Sequence, residues 1–215
     1  RAICQEPEII VLDEPTSYLD IRYKLELLDI LKRMAKEKGI TVLMSLHEID
    51  LAQKCADRIV CVRGEEIMAY GTPEEVFYEE TIEKLYDLDN GSYNPLSGSL
   101  ELKKTEGEPE VFVISSGGNG TPIYRKLQRE GRPFAAGILY TNDVDYQAAR
   151  VLASKIITEE PFEEISDNTY KNAENMIDQC QIVVNAGVHI GSCNHRMRNL
   201  LQYAQEKGKL KRDYL

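Results

Sequence analysis

Two adjacent carboxylates follow an aliphatic run near the start of the chain. The segment IIVLDEPTSYLD occupies residues 9–20, and Asp13 and Glu14 come directly after its aliphatic side chains. Buried carboxylates are costly unless they meet cations or water, and the carboxyl end of a parallel strand faces the ligand crevice of its sheet. We therefore expect Asp13 to hold Mg²⁺, usually through a water, and Glu14 to polarise an attacking water. The plainer interpretation is a strand end followed by a helix-capping acid.

A histidine ends the next aliphatic run. ITVLMSL covers residues 40–46, and His47 follows it directly. Residues 22–38, between the two runs, carry aliphatic side chains near helical spacing, and Gly39 is suited to stop a helix. The order strand, helix, strand predicts an α/β arrangement that brings the histidine to the carboxylates. Taken alone, a histidine at a strand end is more often structural.

The next segments predict smaller elements and then a connector. Residues 48–56 are predicted to be helical, a hairpin is predicted to turn at Gly64, and Thr72 is predicted to cap a short helix that begins at Pro73. Residues 89–109 are rich in Gly, Ser, Pro and Asn, which predicts a connector with at most one strand.

The second half of the chain alternates strands with helices, which predicts a doubly wound parallel sheet of Rossmann-like type. The expected strands cover residues 110–115, 134–140, 155–158 and 181–187, and the expected helices lie near residues 121–130, 143–154, 168–179 and 194–206. The predicted fold class is therefore α/β, with one domain over residues 1–103 and a second over residues 104–215.

Charge and composition exclude several classes of protein. The net charge of −10 lies entirely in residues 1–108, which argues against a nucleic-acid partner, since phosphate backbones are bound through clustered Lys and Arg. No apolar run approaches the roughly 20 residues needed to span a bilayer, and no secretory leader is expected. The five cysteines are scattered without a CxxC motif, which favours a reduced, cytoplasmic setting.

The motifs of the first half resemble those of ABC-type ATPases. VLDEPTSYLD is similar to their Walker B segment and D-loop, and ITVLMSLH is similar to the strand that ends in their switch histidine. The resemblance implies ATP and Mg²⁺ as cofactors, with Asp13 for the metal, Glu14 for the water and His47 for the γ-phosphate. It also implies that Asp20 lies across a dimer interface, although Asp20 can equally be an ordinary N-cap.

A longer segment narrows the resemblance to one branch of that family. SLHEIDLAQKCADRIVCVRGEEIMAYGTPEEVF resembles the ATPases of iron-siderophore, haem and cobalamin importers, and the likeness covers residues 1–103. It implies a transmembrane permease and a second ATPase subunit as partners, and a cytoplasmic location on the inner face of the membrane. Tyr18 also occurs in soluble RNase L inhibitor-type ABC proteins, so a protein acting on ribosomes or other assemblies stays an alternative.

Two motifs of a complete ATPase are missing from this sequence. Neither the phosphate-binding pattern G-x-x-x-x-G-K-[ST] nor the signature loop L-S-G-G-Q is present, and LSGS at residues 96–99 follows His47, whereas the signature loop precedes Walker B. RAICQEP, residues 1–7, resembles the segment that follows the signature loop. We therefore expect the C-terminal portion of a longer subunit, which alone neither binds ATP tightly nor hydrolyses it.

Two loops of the second half are candidates for binding a small ligand. SSGGNGT follows a predicted strand and opens a helix, as anion-binding turns do, while NAGVHIGSCN follows the last predicted strand. The candidate residues are Ser116, Gly117, Gly118, Gly120, Gly187, Ser192 and Asn194. The plainer interpretation is a tight turn that needs glycine. His189, Cys193 and His195 suit a metal in principle, but structural roles explain them more simply.

The function that follows for the second half is a regulatory module that senses a small metabolite. Some importer ATPases of bacteria and archaea carry a C-terminal extension of similar arrangement. The competing interpretations are an oligomerisation or docking domain and a stand-alone module that binds a small ligand.

Overall fold

The computed structural model describes residues 7–89, 91–95, 98–211 and 214. Residues 1–6 of the RAICQEP segment and part of the LSGS segment lie outside these residues. The chain divides into two compact units between Leu88 and Asp89, with residues 98–99 grouped with the first unit. The sequence places the domain boundary later, after residue 103. Among the described residues, no helix is long and apolar enough to cross a bilayer.

The first unit begins with a strand, a helix and a second strand. Strand β1 (Ile9–Leu12) pairs in parallel with β2 (Thr41–Met44), and helix α1 (Ile21–Lys38) connects them. Helix α1 ends at Gly39, whose φ of 67° lies in the left-handed region that glycine adopts without strain. The buried side chains that join the helix to the strands are Ile10, Met34 and Ile40. The predicted strand–helix–strand order is present, so β1 and β2 end at the same edge.

The other elements of the first unit include the predicted helix, hairpin and short helix. They are α2 (Ile49–Cys55), β3 (Ile59–Arg63), β4 (Glu66–Gly71), α3 (Pro73–Val76) and α4 (Glu79–Tyr86). Strands β3 and β4 form the antiparallel hairpin, with φ of 62° at Gly64. Helix α3 begins at Pro73, where the Glu75 carboxylate accepts a hydrogen bond from Thr72 N–H at 2.8 Å.

The segment read as a connector contains two strands, so the prediction of at most one strand is wrong. Strands β5 (Gly91–Asn94) and β6 (Ser99–Leu102) pair with each other. Each of the two strands carries a buried side chain: Tyr93 is fully buried, and the buried Glu101 carboxylate pairs with the guanidinium of Arg125. Composition did not reveal the pair of Glu101 and Arg125, because the two residues lie 24 positions apart in sequence.

The second unit is a five-stranded parallel sheet with helices on both faces. Its elements are β7 (Val111–Ile114), α5 (Thr121–Arg129), β8 (Phe134–Tyr140), α6 (Val144–Leu152), β9 (Lys155–Glu159), α7 (Asp167–Gln179), β10 (Ile182–Asn185), α8 (Met197–Glu206) and β11 (Leu210–Lys211). The strand order is β11-β10-β7-β8-β9. One core contains side chains of α5 and α6, and the other contains side chains of α7 and α8. The predicted α/β class and doubly wound parallel sheet are confirmed; the two-residue strand β11 was not predicted.

The order of the strands defines where a ligand crevice is expected in the second unit. The chain runs outward from β7 through β8 to β9, and then returns to β10 on the other side of β7. The loops after β7 and β10 therefore diverge in opposite directions at the carboxyl edge of the sheet. This is the topological switch point at which doubly wound sheets bind ligands.

Candidate functional sites

The carboxylates and the histidine of the first unit lie together at the carboxyl edge of β1 and β2. His47 Nε2 is 2.5 Å from Glu14 Oε1. Ser45 Oγ donates to Asp13 Oδ1 at 2.7 Å and accepts the Glu14 backbone N–H at 2.8 Å. Ser17 Oγ donates to Glu14 Oε2 at 3.0 Å. The structure thus assembles the three side chains that the sequence singles out, and it adds Ser45 as their link.

Glu14 has an uncommon backbone conformation. Its φ of 43° lies in the left-handed region, which residues other than glycine rarely adopt. Its carbonyl accepts the Ser17 N–H at 3.2 Å, and its own N–H is bound by Ser45, so local hydrogen bonds hold the turn. Such backbone strain concentrates at functional sites, where it fixes the direction of a side chain. Here the strained residue is the one that faces the imidazole.

The contact between Glu14 and His47 shifts both pKa values. The hydrogen bond from His47 is the largest cause that lowers the pKa of Glu14, and the same bond raises the pKa of His47 above its ordinary value. Glu14 therefore stays ionised, which a base that accepts a proton from water requires. His47 stays a hydrogen-bond donor over a wider pH range, which suits contact with an anionic phosphate.

The raised pKa of His47 can be measured in the chain as it stands. Titration of the His47 ring by NMR should give a pKa above the ordinary 6.5 of imidazole, and Glu14→Gln should bring it back towards that value. The stability that the pair contributes should be lost as the pH rises through the raised pKa of His47, and also as the pH falls through the lowered pKa of Glu14. Equal midpoints in the two proteins would show that the contact is absent in solution.

Two other residues of the first motif are exposed. Tyr18 is 98% exposed, and Asp20 is exposed at the N-cap position of α1 without a side-chain hydrogen bond to the helix. The Asp20 side chain therefore does not make the hydrogen bond to the helix that an N-capping aspartate makes. Its backbone carbonyl still accepts the Lys24 N–H at 2.9 Å. The exposed carboxylate is available to a partner, which is the role that the resemblance implies.

Sequence reasoning missed a polar network beside this site. Thr16 Oγ1 donates to Glu48 Oε2 at 2.9 Å, and Lys24 Nζ donates to Glu48 Oε1 at 2.5 Å. Thr16 is fully buried. The sequence held one indication of this network, which is that Thr16 comes two residues after Glu14 and Glu48 directly follows His47.

In the second unit the two candidate loops meet at the switch point. Ser116 Oγ accepts the His189 backbone N–H at 2.9 Å, and Asn119 Nδ2 donates to Gly187 O at 3.0 Å. Asn194 Oδ1 accepts the Gly191 N–H at 2.6 Å, so it orders its own loop. The candidate residues of both loops therefore share one region of the sheet edge.

The last helix begins after the candidate residues of its loop. Helix α8 starts at Met197 with Arg196 at its N-cap, so neither Ser192 nor Asn194 caps it. Arg196 pairs with Asp167 at 2.9 Å and donates to the Ile165 carbonyl at 2.8 Å. This arginine is thus occupied by internal contacts, and its position at the helix start needs no external anion.

Two carboxylates occupy the N–H groups of the Gly-rich turn. Asp145 is fully buried, and its carboxylate accepts the N–H groups of Gly120 and Thr121 at 3.0–3.1 Å. Asp143 accepts the Gly117 N–H at 3.0 Å. Gly117 and Gly118 have φ of 65° and 92°, which glycine tolerates. An anion at this helix start would have to displace like charge, so the geometry favours the structural interpretation of Gly117 and Gly120.

The histidines and the cysteine of the last loop have local partners. His195 Nδ1 lies 2.8 Å from Ser192 O, and Cys193 Sγ donates to Phe162 O at 3.4 Å. Over the part of the chain that the structure describes, no group of three or more His, Cys, Asp and Glu side chains is placed to hold a metal ion. The geometry of this loop therefore gives a metal ion no support.

Comparison with known proteins shows which proteins this chain is similar to. The chain is homologous to ABC transporter ATP-binding proteins, those of siderophore and cobalamin importers among them, which confirms the resemblance drawn from the motifs. A sequence model described as the MJ0874 family matches residues 134–211, within the second unit.

Three relatives illustrate the range of these homologues. An uncharacterized ABC transporter ATP-binding protein of Methanocaldococcus jannaschii is 39% identical over 140 residues, which are 65% of this chain and 48% of the relative. A cobalamin import ATP-binding protein of Halobacterium salinarum is 26% identical over 80% of this chain and 45% of its own. A ferric enterobactin transport ATP-binding protein of Escherichia coli is 38% identical over 40% of this chain and 32% of its own. The chain therefore spans about half the length of the first two relatives, 48% of one and 45% of the other.

Proposed function

We propose that this chain contributes the water-activating part of the ATP site in an ABC importer subunit for iron-siderophore, haem or cobalamin-type substrates. In this proposal Glu14 acts on the attacking water, His47 contacts the γ-phosphate, and Asp20 contacts a second ATPase subunit. The observation that supports it best is the 2.5 Å approach of His47 Nε2 to Glu14 Oε1 at the edge of a parallel strand pair. The relatives named as cobalamin and ferric enterobactin transport proteins support the class of substrate.

Among the described residues of this site, Asp13 is suited to be a protein ligand of Mg²⁺. Asp13 is exposed, its Oδ1 accepts the Ser45 hydroxyl, and a carboxylate oxygen is the hard ligand that Mg²⁺ prefers. When bound, the metal would neutralise charge on the phosphates of ATP. The motif that binds those phosphates is not present in this sequence. The proposal therefore assigns to this chain the carboxylate that binds the metal, the general base and the imidazole.

The proposal places the intact protein at the cytoplasmic face of the membrane. Its partners there are a transmembrane permease and a second copy of the ATPase subunit, as for the importer branch that the motifs resemble. The alternative is an ABC protein that acts on ribosomes or other assemblies without a permease. The net charge of −10 and the importer names of the relatives favour the permease.

A fused subunit tests the proposal. It carries, ahead of this chain, the N-terminal part of the Methanocaldococcus jannaschii relative up to the point where the match begins. We expect Mg²⁺-dependent ATP hydrolysis that Asp13→Ala removes, while Asp29→Ala, at an exposed site on α1, leaves it unchanged. Hydrolysis that is equal in the Asp13→Ala protein would contradict the metal role. Association with ribosomes in place of a permease-bearing membrane would support the alternative.

For the second unit we propose regulation by a small ligand at the switch point. The contacts of Ser116 and Asn119 with the loop after β10 support a shared site. Because Asp143 and Asp145 occupy the helix N–H groups, the proposal favours ligands without negative charge. Thermal-shift screening should find stabilisation by neutral or amino-group metabolites and none by inorganic phosphate. Stabilisation by phosphorylated compounds alone would contradict it, and self-association without any ligand effect would favour an oligomerisation domain.

A further inference from the structure

A three-residue network joins the turn that carries Glu14 to the turn that carries His47. Thr16 donates to one oxygen of Glu48, and Lys24 donates to the other oxygen. We infer that Glu48 is a positioning residue, which holds the two turns together so that the carboxylate and the imidazole stay within hydrogen-bond distance. The inference rests on the proposed function, since the distance it preserves is the one that the chemistry needs.

The reacting pair lacks packing of its own. The side chain of His47 is 69% exposed, and that of Glu14 is 44% exposed, so burial does not fix either of them. Exposed ion pairs contribute little and exchange readily with water. A short and stable contact between them therefore depends on the backbone on each side, and small displacements of reacting groups lower rates strongly.

The network is better protected than the pair it serves. Thr16 is fully buried, and the side chains of Lys24 and Glu48 are only 20% and 26% exposed. The nearby ion pair of Lys54 with Asp50 is a useful contrast, because its side chains are 70% and 46% exposed and its atoms are 3.4 Å apart. Charge-assisted hydrogen bonds that are partly buried keep a defined geometry. The network can therefore hold the two turns in fixed positions, which an exposed ion pair cannot do.

The connectivity makes Glu48 the point at which the two turns are fixed. Glu48 directly follows His47, and Thr16 comes two residues after Glu14, so separating the turns must break the Thr16–Glu48 hydrogen bond. Lys24 reaches the same carboxylate from α1 and holds it from a third direction. The Lys24 hydrogen bond is also the largest cause that lowers the pKa of Glu48, so the carboxylate stays ionised and keeps both bonds.

NMR on the chain as it stands tests the inference without ATP. Thr16→Val removes the hydroxyl but preserves side-chain size and the Lys24–Glu48 pair, and Glu48→Gln removes the charge. Asp50→Asn is the matched control, because it makes the same chemical change two residues further along. We expect the NOE between the His47 ring and the Glu14 side chain to fall by more than half in the first two variants and to persist in the control.

Cross-strand NOEs between β1 and β2 report whether the fold is intact in each variant. An unchanged contact between His47 and Glu14 in both Thr16→Val and Glu48→Gln would overturn the inference. Loss of the β1–β2 NOEs together with that contact in both variants would overturn it as well, because the network would then be a requirement for folding.

The fused subunit separates this inference from the proposed function. There Glu48→Gln should lower kcat by about tenfold or more while KM for ATP stays within about twofold, since positioning acts on the chemical step. Unchanged kcat in a subunit whose turnover does depend on Glu14 would overturn the inference. A lost NOE in a subunit whose turnover does not depend on Glu14 would uphold the positioning of His47 and refute the proposed function.

Discussion

Glu14→Gln in the fused subunit should lower ATP turnover by roughly 10²–10⁴-fold, the range for loss of a positioned general base. Glutamine has nearly the same size, but it cannot accept a proton from the attacking water. ATP binding should persist, because Asp13 and His47 keep their places, and the two subunits should stay associated around unhydrolysed ATP. The measurements are steady-state phosphate release and the size of the complex with and without ATP.

The matched control for this result is Glu37→Gln. Glu37 is exposed near the end of α1, so the same change of carboxylate to amide should leave turnover unaltered. Turnover of the Glu14→Gln protein equal to that of the control would refute the role of Glu14. Loss of ATP-dependent association together with turnover would instead show that the substitution disturbs the site as a whole.

The sequence was sufficient to bring Asp13, Glu14 and His47 together. Strand ends in a parallel pair meet at one edge, and the motifs fix which residues stand at those ends. The partners of these residues could not be predicted in the same way. Ser45, Thr16 and Glu48 act through hydrogen bonds between residues 31–32 positions apart, and polar side chains in a loop do not reveal such partners.

In the second unit, too, the regular elements could be predicted from the sequence and the polar partners could not. Periodicity predicted its alternating elements, whereas the two-residue strand β11 and the short strands β5 and β6 give too short a pattern to detect. From the sequence, the Gly-rich turn is a candidate anion site as well as a tight turn, because glycines before a helix leave N–H groups open. Asp143 and Asp145, two residues apart at the start of the next helix, were the missing information. They lie more than twenty residues downstream, where they look like ordinary helix-start acids.

Asp145→Ala should destabilise the second unit by about 3 kcal/mol, since it leaves buried N–H groups without acceptors. The carboxylate accepts Gly120 N–H and Thr121 N–H, and Thr121 Oγ1 donates to it at 3.1 Å. A Cβ at Gly120 would lie 2.4 Å from Ser115 Oγ and 2.6 Å from the ring of Tyr124, so Ser115 and Tyr124 pack closely against the turn.

Amide hydrogen exchange measures this effect better than a single unfolding curve, because a chain of two units need not unfold in one transition. The amides of β7 and β8 should lose protection in Asp145→Ala, while those of β1 and β2 keep theirs. Asp178→Ala is the control, because Asp178 is an exposed carboxylate whose partners are Lys207 and Tyr203. Equal protection of β7 in the two variants would mean that the buried carboxylate is not what holds the turn, and the N–H groups would then be open to an anion.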